Sequence, residues 1–175
     1  MLRLPATPIA LVREVIVPAL AHFPAAWASR EAIALLVAIA IQESNLATRR
    51  QGTPTKPGPA RGLWQFEVAG ASGVLQHPES HAQAGALCRQ AHIPASAGAV
   101  HRRVEVDDLL ACRFARLLLR TDAAPLPPAN ANAEAEAFAY YLRNWRPGAA
   151  RTPQGRAKCA KRFTRAWRLA LEAVA

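Results

Sequence analysis

The chain is 175 residues long, 51% hydrophobic and 19% charged, which supplies enough apolar material for one packed core and excludes global disorder. Its net charge of +10 and pI near 10.9 point to an anionic partner (nucleic acid, anionic membrane or cell-wall polymer) or to nothing more than a solvated basic face. Three cysteines, Cys88, Cys112 and Cys159, show no CxxC and no matching pairs for His77, His81, His92 and His101, which argues against a zinc module and favours reduced, partly buried thiols over one disulfide plus a free thiol.

The first residues, Met1 to Pro8, have no signal-peptide h-region, since Pro5, Pro8 and Pro18 interrupt them and Arg13 and Glu14 fall inside the only apolar stretch. This predicts a chain made in the cytoplasm without a signal peptide. Ile9 to about Phe23 reads as a short amphipathic helix with Leu11, Val15 and Ile16 on one side, disturbed by Pro18 and ended by Pro24, so residues 1–28 form a helical lead-in. Ser29 caps a second helix over Arg30–Ser44, with Glu31 in its first turn. That helix is apolar on nearly all sides and is expected to be central and buried. Its apolar run, Ala32–Ile41, is shorter than the roughly 20 residues that cross a bilayer, so no membrane span is expected.

Asn45 to Gly62 holds Gly52, Pro54, Pro57, Gly58 and Pro59 and reads as a loop, and a loop of this length inside a compact domain is more often functional than not. Leu63–Phe66 is expected to be one helical turn or a short strand, and Gly70, Gly73 and Pro78 to keep the next stretch irregular. Glu79–Ala91 looks helical. Val106–Arg120 is amphipathic, with Leu109, Leu110, Phe114, Leu117 and Leu118 inward and Arg113, Arg116 and Arg120 outward. After a break at Pro125, Pro127 and Pro128, Ala131–Asn144 forms a helix that ends at Trp145-Arg-Pro-Gly148. Gln154–Ala173 is a basic closing helix carrying Phe163, Trp167 and Leu171. With no alternating run, no repeat and no long linker, the fold class is mainly α in a single domain over 1–175, with at most a short β-hairpin beside the loop.

Glu43 stands out chemically. It follows ten apolar residues, which strip water from it, and sits at a helix C-terminus, where the macrodipole disfavours negative charge. Both effects raise a carboxyl pKa, and a carboxylic acid still protonated near neutral pH can protonate a glycosidic leaving oxygen. Gln42, Asn45, Gln65, Trp64, Tyr141 and Trp145 supply the hydrogen-bonding groups and aromatic platforms that saccharide clefts need.

Gln42-Glu43-Ser44-Asn45, Gly62-Leu63-Trp64-Gln65 and Ala139-Tyr140-Tyr141-Leu142-Arg143-Asn144 resemble, in order and spacing, the lytic transglycosylases of the lysozyme-like superfamily, related to goose-type lysozymes. Gly58-Pro-Ala-Arg-Gly-Leu-Trp-Gln-Phe-Glu67 and Asn144-Trp-Arg-Pro-Gly148 look like phage-encoded members. The resemblance covers about residues 28–170; its first two motifs are specific, and its third departs in having Trp-Arg where the family usually keeps Tyr-Asn. It implies a lysozyme-like helical domain that cleaves the β-1,4 MurNAc-GlcNAc bond of peptidoglycan glycan strands without a metal or cofactor. It also implies roles: Glu43 as acid then base, Ser44 orienting it or the substrate, Gly62, Leu63 and Gln65 lining the glycan cleft, and Tyr141, or equally Tyr140, beside the carboxyl.

Several residues carry two readings. Trp64 is core or a sugar platform. Glu67 is a second catalytic carboxylate, or a surface residue paired with Arg49 or Arg61. Arg49 and Arg50 bind anionic peptide stems or are simply solvated. The leading function is a phage enzyme for cell entry or lysis (a virion component among other virion proteins, or an endolysin). Its rivals are a structural virion protein that kept the fold and lost the chemistry, and a DNA-binding protein using Lys158, Arg162, Arg165 and Arg168 of the last helix. No specific nucleic-acid site is expected.

Overall fold

In the computed structural model, which describes residues 1–53 and 55–175, the predicted buried helix α3 (Arg30–Ser44) is the axis of the molecule. The Ser29 hydroxyl caps it by accepting from the Ala32 amide at 3.3 Å. Every residue from Ala34 to Ala40 is fully buried, so the helix has no solvent face to mark with polar side chains. Leu35, Leu36, Val37 and Ile39 each contribute about 1.5–3 kcal/mol by leaving water. The helix stops at Asn45, whose left-handed φ of 51° lets its N–H bond back to Ile41. Against α3 lies α9 (Pro153–Ala173), started by Thr152 and Pro153 and packed through Phe163, Ala166, Trp167 and Ala170, while its basic residues other than Arg162 point outward.

The lead-in is broken more finely than expected. α1 (Pro8–Leu11) passes into a π-turn (Val12–Ile16) and then α2 (Val17–Leu20), which ends before Phe23. Pro18 is the cause, because it has no N–H to give and its ring crowds the carbonyl one turn back, so the preceding turn widens. α7 (Asp108–Arg120) follows its predicted pattern with two corrections: Arg116 does not face out but is buried, with Nε donating at 2.8 Å to the carbonyl of Trp27, and Arg120 is half-buried with its guanidinium 4.0 Å over the Trp27 ring. α5 (His81–Gln90), α6 (Ala97–Arg103) and α8 (Glu134–Trp145) complete the helical set, α6 without a counterpart in the sequence reading.

The stretch from Asn45 to Gly62 is not a plain loop. β1 (Arg50–Thr53) and β2 (Lys56–Arg61) pair antiparallel, Arg50 opposite Arg61 and Thr53 opposite Lys56, with an irregularity between Arg50 and Gly52. Each strand of a two-stranded ribbon has a free edge, so Pro57 and Pro59 need no ladder donor, and the turn-like composition survives inside a hairpin. Pro54, one of the prolines that marked a loop, lies outside the described residues. Leu63–Phe66 is neither helix nor strand but a tight turn closed by pairing of Arg61 with Phe66. The next stretch is not irregular either: α4 (Val68–Gln76) runs through Gly70 and Gly73.

The fold is thus mainly α with one two-stranded hairpin. Cys88, Cys112 and Cys159 are buried and unbridged. Arg49 and Asp108 form an ion pair at 2.7 Å, and Asp108 also accepts the Leu2 amide at 2.7 Å, tying the N-terminus and the start of the hairpin to α7. No helix among the described residues is long and apolar enough to cross a membrane.

Candidate active site

A cleft of about 560 Å³ opens where the end of α3 meets the Arg61–Glu67 turn, α4, the end of α8 and two side chains of α9, Cys159 and Arg162. Glu43 lies in its wall. The Tyr141 hydroxyl donates to Glu43 Oε1 at 2.6 Å, and burial pushes the Glu43 carboxyl up to about 7. The Tyr141 bond and the Arg162 guanidinium pull it back down, and the Glu67 carboxylate pushes it further up. Burial and the neighbouring Glu43 hold the Tyr141 phenol far above the usual tyrosine range, so it remains a proton donor.

Glu67, at the N-terminal boundary of α4, is exposed on the cleft wall and has no ion pair among the described residues. Neither suggested partner is free. Arg49 is taken by Asp108, and Arg61 by Glu105 at 2.9 Å, a carboxylate it shares with Arg50.

Four other candidates line the cleft or shape it. Gln65 lines it in a left-handed conformation (φ 49°), with Nε2 donating at 2.7 Å to the Gly62 carbonyl. Gly62 has φ 75°, and a Cβ there would stand 2.7 Å from the Val104 carbonyl oxygen, so only glycine makes this turn without strain. Trp145 is half-buried in the cleft wall; its Nε1 donates at 2.9 Å to the Trp64 carbonyl, and its ring lies 6.1 Å from Phe66. Tyr141, not Tyr140, faces Glu43.

The rest do not reach the cleft. Tyr140 turns to the opposite side and donates at 2.8 Å to the Leu119 carbonyl. Trp64 is fully buried with its indole bonded to the Leu36 carbonyl at 2.9 Å, so it is core rather than a sugar platform, and Leu63 is core as well. Ser44 is buried, donating to the Ala40 carbonyl and accepting from the Leu46 amide, which ends the helix away from the cleft wall. Asn45 is exposed and acts as the left-handed cap outside the cleft wall.

One cleft residue went unread in the sequence. Arg162 donates at 2.6 Å to the Gln42 carbonyl and faces Glu43, although in sequence it is one cation in a basic stripe. Its distinguishing mark is its place next to Phe163, at the border between the stripe and the buried face. The side-chain oxygen of Gln42 is buried in the cleft wall with no hydrogen-bond partner among the described residues, a vacant acceptor for a hydroxyl or amide. Together these groups place a carboxyl raised to about 7, a hydrogen-bonding amide and a guanidinium around one open cleft. No group of three or more His, Cys, Asp and Glu able to hold a metal occurs among the described residues. No family model matches the chain, and no curated protein or solved structure matches it either.

Proposed function

We propose that this protein is a peptidoglycan glycosidase that cleaves the β-1,4 bond between N-acetylmuramic acid and N-acetylglucosamine, with Glu43 as general acid and then base. The observation that carries the reading is the Glu43–Tyr141 pair in an open cleft: a desolvated carboxyl, raised to about 7 and aimed by a 2.6 Å hydrogen bond. The likeness of the Gln42–Asn45 and Gly62–Gln65 segments to lytic transglycosylases supports the same chemistry. Near neutral pH the carboxyl holds a proton to give the leaving oxygen. Tyr141 and Arg162 then stabilise the carboxylate that remains, since both favour its charged form.

If the muramic acid's own hydroxyl attacks, the Glu43 carboxylate takes its proton, the product is an anhydro sugar and Glu43 is sufficient. If water attacks, Glu67 is the second carboxylate, the base that takes the water's proton, and the enzyme is an inverting muramidase. A phage protein acting in cell entry or lysis fits the basic surface, which suits an anionic wall.

Digestion of purified Gram-negative sacculi by wild type and Glu43→Gln, with released muropeptides identified by mass, tests the proposal. Anhydro-muropeptides from wild type alone support a lytic transglycosylase. Reducing-end products lost in the variant support a muramidase. No release by folded wild type overturns the enzyme and favours a structural virion protein.

A further inference from the structure

A second cavity, of about 510 Å³, adjoins the cleft and shares His77 and Thr121 with it. Its wall contains Arg116 and Arg120, one turn apart on α7. Arg116 is only 5% exposed, yet no acidic side chain pairs with it among the described residues; its Nε is held by the Trp27 carbonyl. Arg120 lies 4.0 Å over the Trp27 ring, and its Nε is buried without a partner. Its ion pair with Glu79 is long, at 3.6 Å, and the Glu79 side chain is 61% exposed.

Asp122, the other acid in this wall, is already occupied. Arg143 and Asn144 donate to its Oδ2, and the Ala124 amide donates to its Oδ1. The cavity therefore holds two guanidiniums and no free counter-charge. Burial, and then the neighbouring Arg120, push Arg116 down to about 10. A buried cation without a partner is costly, and forked guanidinium donors match a carboxylate.

We propose that this cavity is a carboxylate-binding subsite continuous with the cleft, and that it takes the carboxylates of the wall's peptide stem while the glycan lies at Glu43. Assignment to the stem rests on the peptidoglycan reading; the anion site does not. Arg49 and Arg50, the cations that the sequence offered for this role, are neutralised by Asp108 and Glu105.

Calorimetric titration of the full chain with a free acidic stem tetrapeptide, the same peptide with its carboxylates amidated, and inorganic phosphate tests the subsite. The acidic peptide is expected to bind, more weakly as salt rises, and the amidated one not to bind. Arg120→Gln weakens binding by about tenfold or more, whereas Arg168→Gln, which removes an equal charge outside both cavities, leaves it unchanged. Arg116→Lys, which keeps the charge and loses the fork, also weakens it; Arg120→Gln carries the test if that buried change unfolds the chain. No binding of the acidic peptide, or binding indifferent to Arg120→Gln, overturns the proposal, and binding of phosphate alone overturns the stem assignment. Peptide binding by a protein that releases no muropeptides leaves the subsite standing and removes the glycosidase, and the converse result does the reverse.

Discussion

The Tyr141 phenol on α8 donates a 2.6 Å hydrogen bond to Glu43 at the end of α3, joining residues 98 apart in sequence. The tyrosine is itself held. Its ring stacks on Phe163 at 5.3 Å and on Phe138 at 6.2 Å, so an aromatic layer between α8 and α9 sets where the hydroxyl points. Glu43 is consequently aimed by three helices. A carboxyl fixed by packing loses little freedom when it meets a reacting atom.

Tyr141→Phe removes the hydroxyl and keeps the ring. Since the bond lowers the Glu43 pKa, the variant's value rises above about 7, and the alkaline limb of the pH–rate profile moves up with it. The rate falls by about tenfold or more, the worth of one charge-assisted hydrogen bond. A carbon-13 NMR titration of the Glu43 carboxyl, beside the pH–rate profile, checks both statements. An unshifted carboxyl contradicts the coupling.

Glu67→Gln and Arg162→Gln are expected to move Glu43 in opposite directions. Glu67 raises the Glu43 pKa by like-charge repulsion, so Glu67→Gln lowers it. Arg162 favours the carboxylate, so Arg162→Gln raises it. The same NMR titration reads the two signs. Raised salt shrinks both shifts, because Glu67 and Arg162 are exposed to solvent.

Stability depends on pH through Glu43. Its folded pKa of about 7 lies above the ordinary 4.5, so between those values the folded protein binds more protons than the unfolded chain. The contribution is fully present below pH 4.5 and is lost as pH rises through about 7. Glu43→Gln removes this loss: relative to wild type it is more stable at pH 8 than at pH 4, by up to about 3 kcal/mol. Urea midpoints at the two pH values measure the difference. A constant offset rules out a strongly desolvated Glu43.

The helices were legible where one face is apolar or a cap is explicit, as with Ser29 before α3 and the leucine pattern of α7. The short hairpin was legible only as an allowance beside the loop, and its strands could not be placed, because Gly52, Pro57 and Pro59 are tolerated on free strand edges while sounding like a loop. α4 was missed because Gly70 sits in a helix beside the Phe66 ring, where an added Cβ would approach it to 3.4 Å. In the candidate site, Glu43 could be found because its local sequence sets both its burial and its place at a helix end. Which tyrosine meets it is decided by how α8 turns against α9, and neither Tyr140 nor Tyr141 carries that in its immediate neighbours. Arg116 misled for a related reason: charge on an amphipathic helix normally marks the solvent face, yet here Trp27 covers it.

Gly62 and Gly73 provide the last contrast. Gly62→Ala forces a side chain into a backbone with φ 75° and sets its Cβ 2.7 Å from the rigid Val104 carbonyl. The left-handed strain alone is about 1–3 kcal/mol, and the displacement of Val104 adds to it. At Gly73, within α4, an added Cβ meets nothing within 4 Å, so Gly73→Ala is expected to stabilise by about 0.5–1 kcal/mol through helix propensity. Denaturant midpoints should therefore move apart at unchanged slope. Gly62→Ala should also lose cleavage while still folded, because the Gly62 carbonyl anchors the Gln65 amide at 2.7 Å and any shift of the turn moves that amide in the cleft. A Gly62→Ala protein that cleaves sacculi like wild type would show that the turn does not position Gln65 for substrate.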